Sequence, residues 1–296
     1  MNIWLINGKK GMTQKTIIEI LLAIVSALIL MLVLGQFGDI LTDTTPREIC
    51  KVSAYTRSAY FEKNIAFQKI FGIPSLKCKT EYDCLATGSG CSKPYITTKV
   101  KDAEGIKKEI AGNMYNCWDN FGEGKIDPIG GSFNLGSNVC LICSRIKFDD
   151  KAKSEIKQVN NLVDYLSTNK IPGKNITYSQ FLTRSNKPNA LGAEYKIDLS
   201  KEYAVVYTVY APGYAAKVGA AATGALVGGS TIAIVFGTGG TAAIVFGGVA
   251  GAYGVTELQN LWESWFDLDK PIFSLTLTEY NANELSRGCS EIISIA

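Results

Sequence analysis

Apolar positions follow two regular rhythms in this chain and abandon both in two places. Helical spacing runs through 47–71 (Tyr60, Phe61, Ile65, Phe67, Ile70), 103–121 (Ile106, Ile110, Met114, Cys117, Trp118, Phe121) and 151–168 (Ile156, Val159, Val163, Leu166). Each run is followed by Gly or Pro punctuation, so three amphipathic helices are predicted. Shorter runs rich in β-branched and aromatic residues predict strands at 138–148 (NVCLICSRIKF), 193–199 (AEYKIDL), 202–211 (EYAVVYTVYA), 272–279 (IFSLTLTE) and 289–295 (CSEIISI). The strand before the second apolar stretch and those after it are expected to share a sheet. Residues 17–37 and 218–256 keep neither rhythm and are apolar almost throughout.

The first apolar stretch follows Lys9, Lys10 and Lys15 and precedes Asp39 and Asp43. Ile20 to Phe37 carries no charge, and as a helix it would measure about 27 Å, near the shortest bilayer span. Lysines before it and acids after it predict a cytoplasmic N-terminal segment (1–15), a transmembrane anchor helix (16–37) and an extracytoplasmic remainder. The stretch ends in LVLGQFGDI without a small-x-small cleavage site, which favours an uncleaved signal anchor over a signal peptide.

The second stretch holds a repeated phrase. Thr231-Ile-Ala-Ile-Val-Phe-Gly237 returns as Thr241-Ala-Ala-Ile-Val-Phe-Gly247, and no charge lies between Lys217 and Glu257. Small residues recur at spacing four along Ala216, Ala220, Gly224 and Gly228, and again along Gly239, Ala243, Gly247 and Gly251. Two helices carrying such ridges can pack closely in lipid, and GTGG between the ridges can turn the chain. The reading is a glycine-zipper helical hairpin over 213–256, with Trp262, Trp265 and Phe266 as interfacial aromatics just beyond it. A buried hairpin inside a soluble protein and a β-hairpin are the alternatives, the latter because a ten-residue repeat preserves strand face.

Composition narrows the chemistry. The 296 residues include no histidine, which excludes the usual Ser-His-Asp and Cys-His nucleophiles and every histidine-bearing zinc site. A net charge of +3 gives no footprint for nucleic acid. Cys50, Cys78, Cys84, Cys91, Cys117, Cys140, Cys143 and Cys289 are even in number and scattered through Gly-, Asn- and Ser-rich segments, the pattern of disulfides in an oxidising compartment. If all eight pair, Cys289 shares a compartment with the other seven. Cys140-Leu-Ile-Cys143 has redox-motif spacing but lies in a β-like run, where residues three apart face opposite sides, so separate structural disulfides are expected. Gly122-Glu-Gly-Lys125 lacks the spacing of a phosphate loop and reads as a turn after a helix. Asn175-Ile-Thr177 is a glycosylation candidate.

Two resemblances accompany these readings. Lys9-Lys10-Gly11 ahead of a polar head and an apolar helix resembles an archaeal type IV prepilin leader, which implies cleavage after Gly11 and a filament subunit. The whole chain, lysine-rich, anchored and cysteine-stapled, resembles archaeal membrane-anchored surface proteins. The expected fold is an α+β ectodomain (38–212, completed by 257–296) with the anchor helix and the membrane hairpin. The expected function is that of a surface or envelope structural or assembly protein, not an enzyme, with no cofactor, metal, nucleic acid or small-molecule substrate. Its expected partners are the lipid bilayer and further copies of itself or other surface proteins. A pilin-like subunit, a pore-forming or membrane-fusion protein and an extracytoplasmic thiol oxidoreductase are the alternatives.

Overall fold

The computed structural model describes residues 21–22, 24–27, 45–62, 74–129, 138–184, 189–191, 196–211, 232–236, 242–246 and 272–293. The chain divides into two units, Met1–Thr45 and Pro46–Ala296. In the first, residues 21–22 and 24–27 are helical, with Leu21, Leu22, Ile24 and Val25 exposed.

The second unit is built around one mixed sheet. Its strands run in the order β2 (Ile96–Lys99), β1 (Glu81–Ala86), β3 (Asn138–Phe148), β7 (Tyr203–Tyr210), β10 (Ile272–Glu279), β8 (Ile232–Phe236), β9 (Ala242–Phe246) and β5 (Asn189–Leu191). A further strand, β11 (Glu291–Ile293), pairs in parallel with the beginning of β3, while β1 pairs in parallel with its end. Strands β4 (Gln158–Val159) and β6 (Ile197–Asp198) form a separate antiparallel pair. The helices are α1 (Pro46–Glu62), α2 (Ala103–Asn120), α3 (Asp150–Glu155), α4 (Leu162–Thr168), α5 (Tyr178–Thr183) and α6 (Ala282–Gly288).

Helix α2 shows how the sequence sets the main core. Asp102 caps its start by accepting from the Gly105 N–H, and the buried stripe Ile106, Ile110, Ala111, Met114, Cys117 and Trp118 follows at helical spacing. The helix ends where Gly122, Glu123 and Gly124 all adopt positive φ (69°, 59° and 66°). At Gly124 a side chain would also stand 2.6 Å from the Trp118 ring, so glycine answers both the conformation and the approach. Trp118 and Phe121 pack on Tyr207 of β7 with centroids 5.7 and 4.8 Å apart, and Tyr207 stacks on Phe273 of β10. These rings join helix to sheet.

Strand β3 changes faces midway. Val139 and Leu141 point into the main core beneath α2, and Cys140 and Ile142 point to the opposite face with Ala204, Val206 and Leu285. Strict alternation would then send Ile146 and Phe148 to that second face. A bulge between Ile142 and Ser144 inserts Cys143 as an extra residue and shifts the parity by one. Ile146 and Phe148 therefore join the main core, and Arg145 and Lys147 emerge on the other side.

Several expectations are corrected by this architecture. The repeated phrase does not form a helical hairpin over 213–256: Ile232–Phe236 and Ala242–Phe246 are antiparallel strands, with Ile234 opposite Ile244. Ala243, assigned to a helix-packing ridge, lies on β9, and Ala216, Ala220, Gly224, Gly228, Gly239, Gly247 and Gly251 lie outside the described residues. The physical reason is that β8 is flanked on both edges, by β10 and β9, as an interior strand is. Ile, Val and Phe favour strands, and a ten-residue repeat keeps both phrases on the same strand face. Cys289 pairs with Cys140 of β3, and β8 and β9, which lie between them in the chain, belong to the same sheet as β3.

Among the described residues no helix is long and apolar enough to cross a membrane. That overturns the α+β fold with membrane helices; the fold is a mixed α/β arrangement on one sheet. Most of the anchor reading (16–37), the leader at Gly11 and the aromatics Trp262, Trp265 and Phe266 lie outside the described residues. The helix expected at 151–168 is interrupted: α3 stops at Glu155, Lys157 takes φ 61°, and Gln158–Val159 pairs with Ile197–Asp198 before α4 begins. Strands at 138–148 and 272–279 match expectation, as does the pairing of β7 with β10 across the apolar stretch.

Candidate functional site

All eight cysteines are paired. Cys50 of α1 joins Cys78 before β1, Cys84 of β1 joins Cys91, Cys117 of α2 joins Cys143 at the bulge, and Cys140 joins Cys289 just ahead of β11. Cys140 and Cys143 face opposite sides of β3 and never meet each other, so the CxxC spacing serves two separate staples. Cys140, Cys84 and Cys117 are buried to within 1% of completely, out of reach of the solvent-borne partner that thiol exchange needs. Asn138 reinforces the Cys140–Cys289 closure, its Oδ1 accepting from the Ser290 N–H at 2.9 Å.

The Cys84–Cys91 loop is organised from within. Asp149, at the end of β3, is 3% exposed and its carboxylate accepts N–H bonds from Gly88 (2.8 Å), Ala152 (2.9 Å), Thr87 (3.2 Å) and Gly90 (3.4 Å). Burial pushes its carboxyl up, but the four backbone donors outweigh burial and hold it below the usual value. At Gly88 a side chain would stand 2.8 Å from Oδ2 of Asp149. The loop closes around an internal anion, which leaves its amides no room for an external phosphate. Gly122-Glu-Gly-Lys125 is likewise a turn, with Lys125 paired to Glu123 at 2.6 Å.

The second face of the sheet carries a cluster of one ion pair and three tyrosines. Arg145 emerges there after the bulge, and its Nη2 and Nε lie 2.6 and 2.8 Å from Oε1 of Glu202. Three tyrosines surround the guanidinium, with ring centroids 3.8 Å (Tyr280), 5.2 Å (Tyr82) and 5.9 Å (Tyr95) from its central carbon. Tyr95 donates its hydroxyl to the same Glu202 oxygen at 2.5 Å, and Tyr82 meets Tyr95 edge-on. The Tyr280 N–H donates to the Glu202 carbonyl at 2.7 Å. Burial opposes the Arg145 charge, yet Glu202 outweighs it and holds the guanidinium above its ordinary value. Burial and then Glu202 push the Tyr95 phenol well above its ordinary value, in keeping with the hydroxyl's donation to Glu202. Beside the cluster, Lys147 Nζ sits 5.5 Å from the Tyr95 ring, and Ile96 is 70% exposed, the most open large apolar side chain among the described residues. A groove lined by Tyr280, Leu285, Cys289 and Ile292 extends from it along α6.

Sequence reasoning missed this cluster, whose members come from β1, β2, β3, β7 and β10 or the residues beside them. The available signal was the alternation Arg145, Ile146, Lys147, Phe148, which marks a polar face at the end of an otherwise apolar strand. No group of three or more His, Cys, Asp or Glu side chains that could hold a metal occurs among the described residues. No family model, curated protein or solved structure matches the chain.

Proposed function

We propose that this chain is an exported, disulfide-locked surface protein that works as an assembly component, not as an enzyme, and that contacts further copies of itself through the Arg145 face of its sheet. The carrying observation is the half-buried Arg145–Glu202 pair ringed by Tyr82, Tyr95 and Tyr280 and flanked by exposed Ile96. Arginine and tyrosine are residues that association sites favour: tyrosine brings large area with few rotamers to fix, and arginine a planar fork of donors that also stacks on rings. Here the guanidinium is already neutralised and immobilised, so docking costs little ordering entropy. Complete pairing of the cysteines supports export to an oxidising compartment.

The test is the mass of the assembled full chain, exported and with its disulfides formed, by native mass spectrometry. The wild type is expected to form oligomers, and Arg145→Ala with Tyr280→Ala is expected to shift them to monomer while the disulfide map stays unchanged. A wild type that stays monomeric at every concentration overturns the reading.

A further inference from the structure

We propose that Asn175 is an acceptor for an N-linked glycan, an inference that rests on the export reading above. Asn175-Ile176-Thr177 is the single Asn-x-Ser/Thr sequence in the chain. It lies on the tip joining α4 to α5, where Pro172, Gly173, Lys174, Asn175 and Ile176 are all exposed. The base of the tip is pinned: Lys170 and Thr177 form an antiparallel bridge, and the Ile171 N–H donates to the Ile176 carbonyl at 3.1 Å. Within it, Gly173 has φ 75°, and a side chain built there would meet nothing within 4 Å. Lys174 folds back over the rings of Tyr115 and Phe181, at 4.8 and 4.6 Å, while Gly173 and Asn175 stay open to solvent.

The side chains of the motif suit transfer. Asn175 receives a bond on Oδ1 from Lys170 Nζ at 3.4 Å, a contact in which its amide nitrogen takes no part. Thr177 supplies the hydroxyl that the motif demands and also caps α5, its Oγ1 accepting from the Gln180 N–H and its own N–H donating to Gln180 Oε1. In the transfer the Asn175 amide nitrogen attacks the anomeric carbon of a lipid-pyrophosphate-linked oligosaccharide. The sugar–oxygen bond breaks, the lipid pyrophosphate leaves, one amide proton passes to the transferase base, and nothing is oxidised or reduced. The glycan would stand among helices of the main-core side, across the sheet from Arg145, and would leave the proposed contact face clear.

The experiment expresses the full chain in a secretory host with an N-glycosylation pathway and reads two quantities from the same purified protein. Peptide mapping reports the four disulfides, and peptide-N-glycosidase reports the glycan by converting an occupied Asn175 to aspartate. Wild type and Thr177→Ser are expected to carry the glycan, Ser keeping both hydroxyl roles. Asn175→Gln is expected to lose the glycan and keep its thermal stability, since the cap is untouched. Four disulfides with an unmodified Asn175 would overturn this inference alone. Unpaired cysteines together with an unmodified Asn175 would overturn it along with the export reading.

Discussion

The two halves of the sheet are held by different means. On one side β2, β1 and β11 attach to β3 through short parallel ladders, and every disulfide of the protein lies there or in the helices packed on it. On the other side β7, β10, β8 and β9 pair antiparallel along apolar strands and contain no cysteine. Parallel pairs are slightly weaker per residue, and segments such as EYDCLA and ITTK have little apolar surface to bury. Covalent staples sit where the ladder is weak, and hydrophobic continuity suffices where it is strong.

The comparison breaks most visibly at its longest staple. In the chain-entropy picture, opening Cys140–Cys289, separated by 149 residues, should cost about 5 kcal/mol, and opening Cys84–Cys91, separated by 7, about half as much. Urea unfolding of the two Cys→Ser double variants checks that ranking; equal losses would show that strain or residual structure, and not loop closure, governs the stapled half.

Next in size is the anion that organises the stapled loop. Asp149→Ala should lose about 2–3 kcal/mol, because buried N–H donors are left without a partner. The carboxyl is held below its ordinary value, so its contribution is full above the ordinary carboxylate range and disappears as pH falls through its folded pKa. Thermal melts of the variant and wild type should converge in acid.

A second carboxylate of the same half should respond in the opposite sense. Burial pushes Asp83 up to about 6, with Glu81 and Glu109 adding to the rise and the Asn113 hydrogen bond and Arg47 opposing it. A raised carboxyl binds its proton more tightly in the folded state, so stability is greatest below the ordinary value and declines as pH rises to about 6. Asp83→Asn should flatten that decline, which melting curves across pH 4–7 would register as a gap opening in the variant's favour.

The smallest effect is expected in the unstapled half. The Tyr207 hydroxyl is fully buried, has no hydrogen-bond partner among the described residues, and has its phenol pushed far above the ordinary value by burial. Tyr207→Phe should therefore be neutral or stabilising by about 1 kcal/mol. A clear loss would mean that the hydroxyl contributes to the core.

The legible parts of the sequence were those with one unambiguous environment. Asn138–Phe148 and Ile272–Glu279 are rich in β-branched residues, and α2 has a clean apolar stripe between an Asp cap and a glycine stop. The repeat misled because an apolar run of Ile, Val, Phe and Ala suits a strand as well as a membrane helix. Small residues at spacing four then occur readily in a segment made of Gly, Ala and Val. Helix 151–168 misled for a local reason: Lys157 and Asn161 take positive φ, which nothing in their apolar spacing announces. The Arg145 cluster was hidden by a single inserted residue. Until Cys143 is known to be a bulge, parity puts Arg145 on the wrong face.

The Cys140–Cys289 bond makes the second half of the chain a closed covalent ring, with the repeat strands inside it. A protease that cuts once anywhere on that ring opens it but releases nothing, and the two pieces stay tied through β3. Cys117–Cys143 fastens the same strand to α2 three residues away, so the ring hangs from a crossbar that is itself riveted to the main core. Nicked molecules should run as one species on a non-reducing gel and separate only with a reductant. Such a chain can be cut without being dismantled.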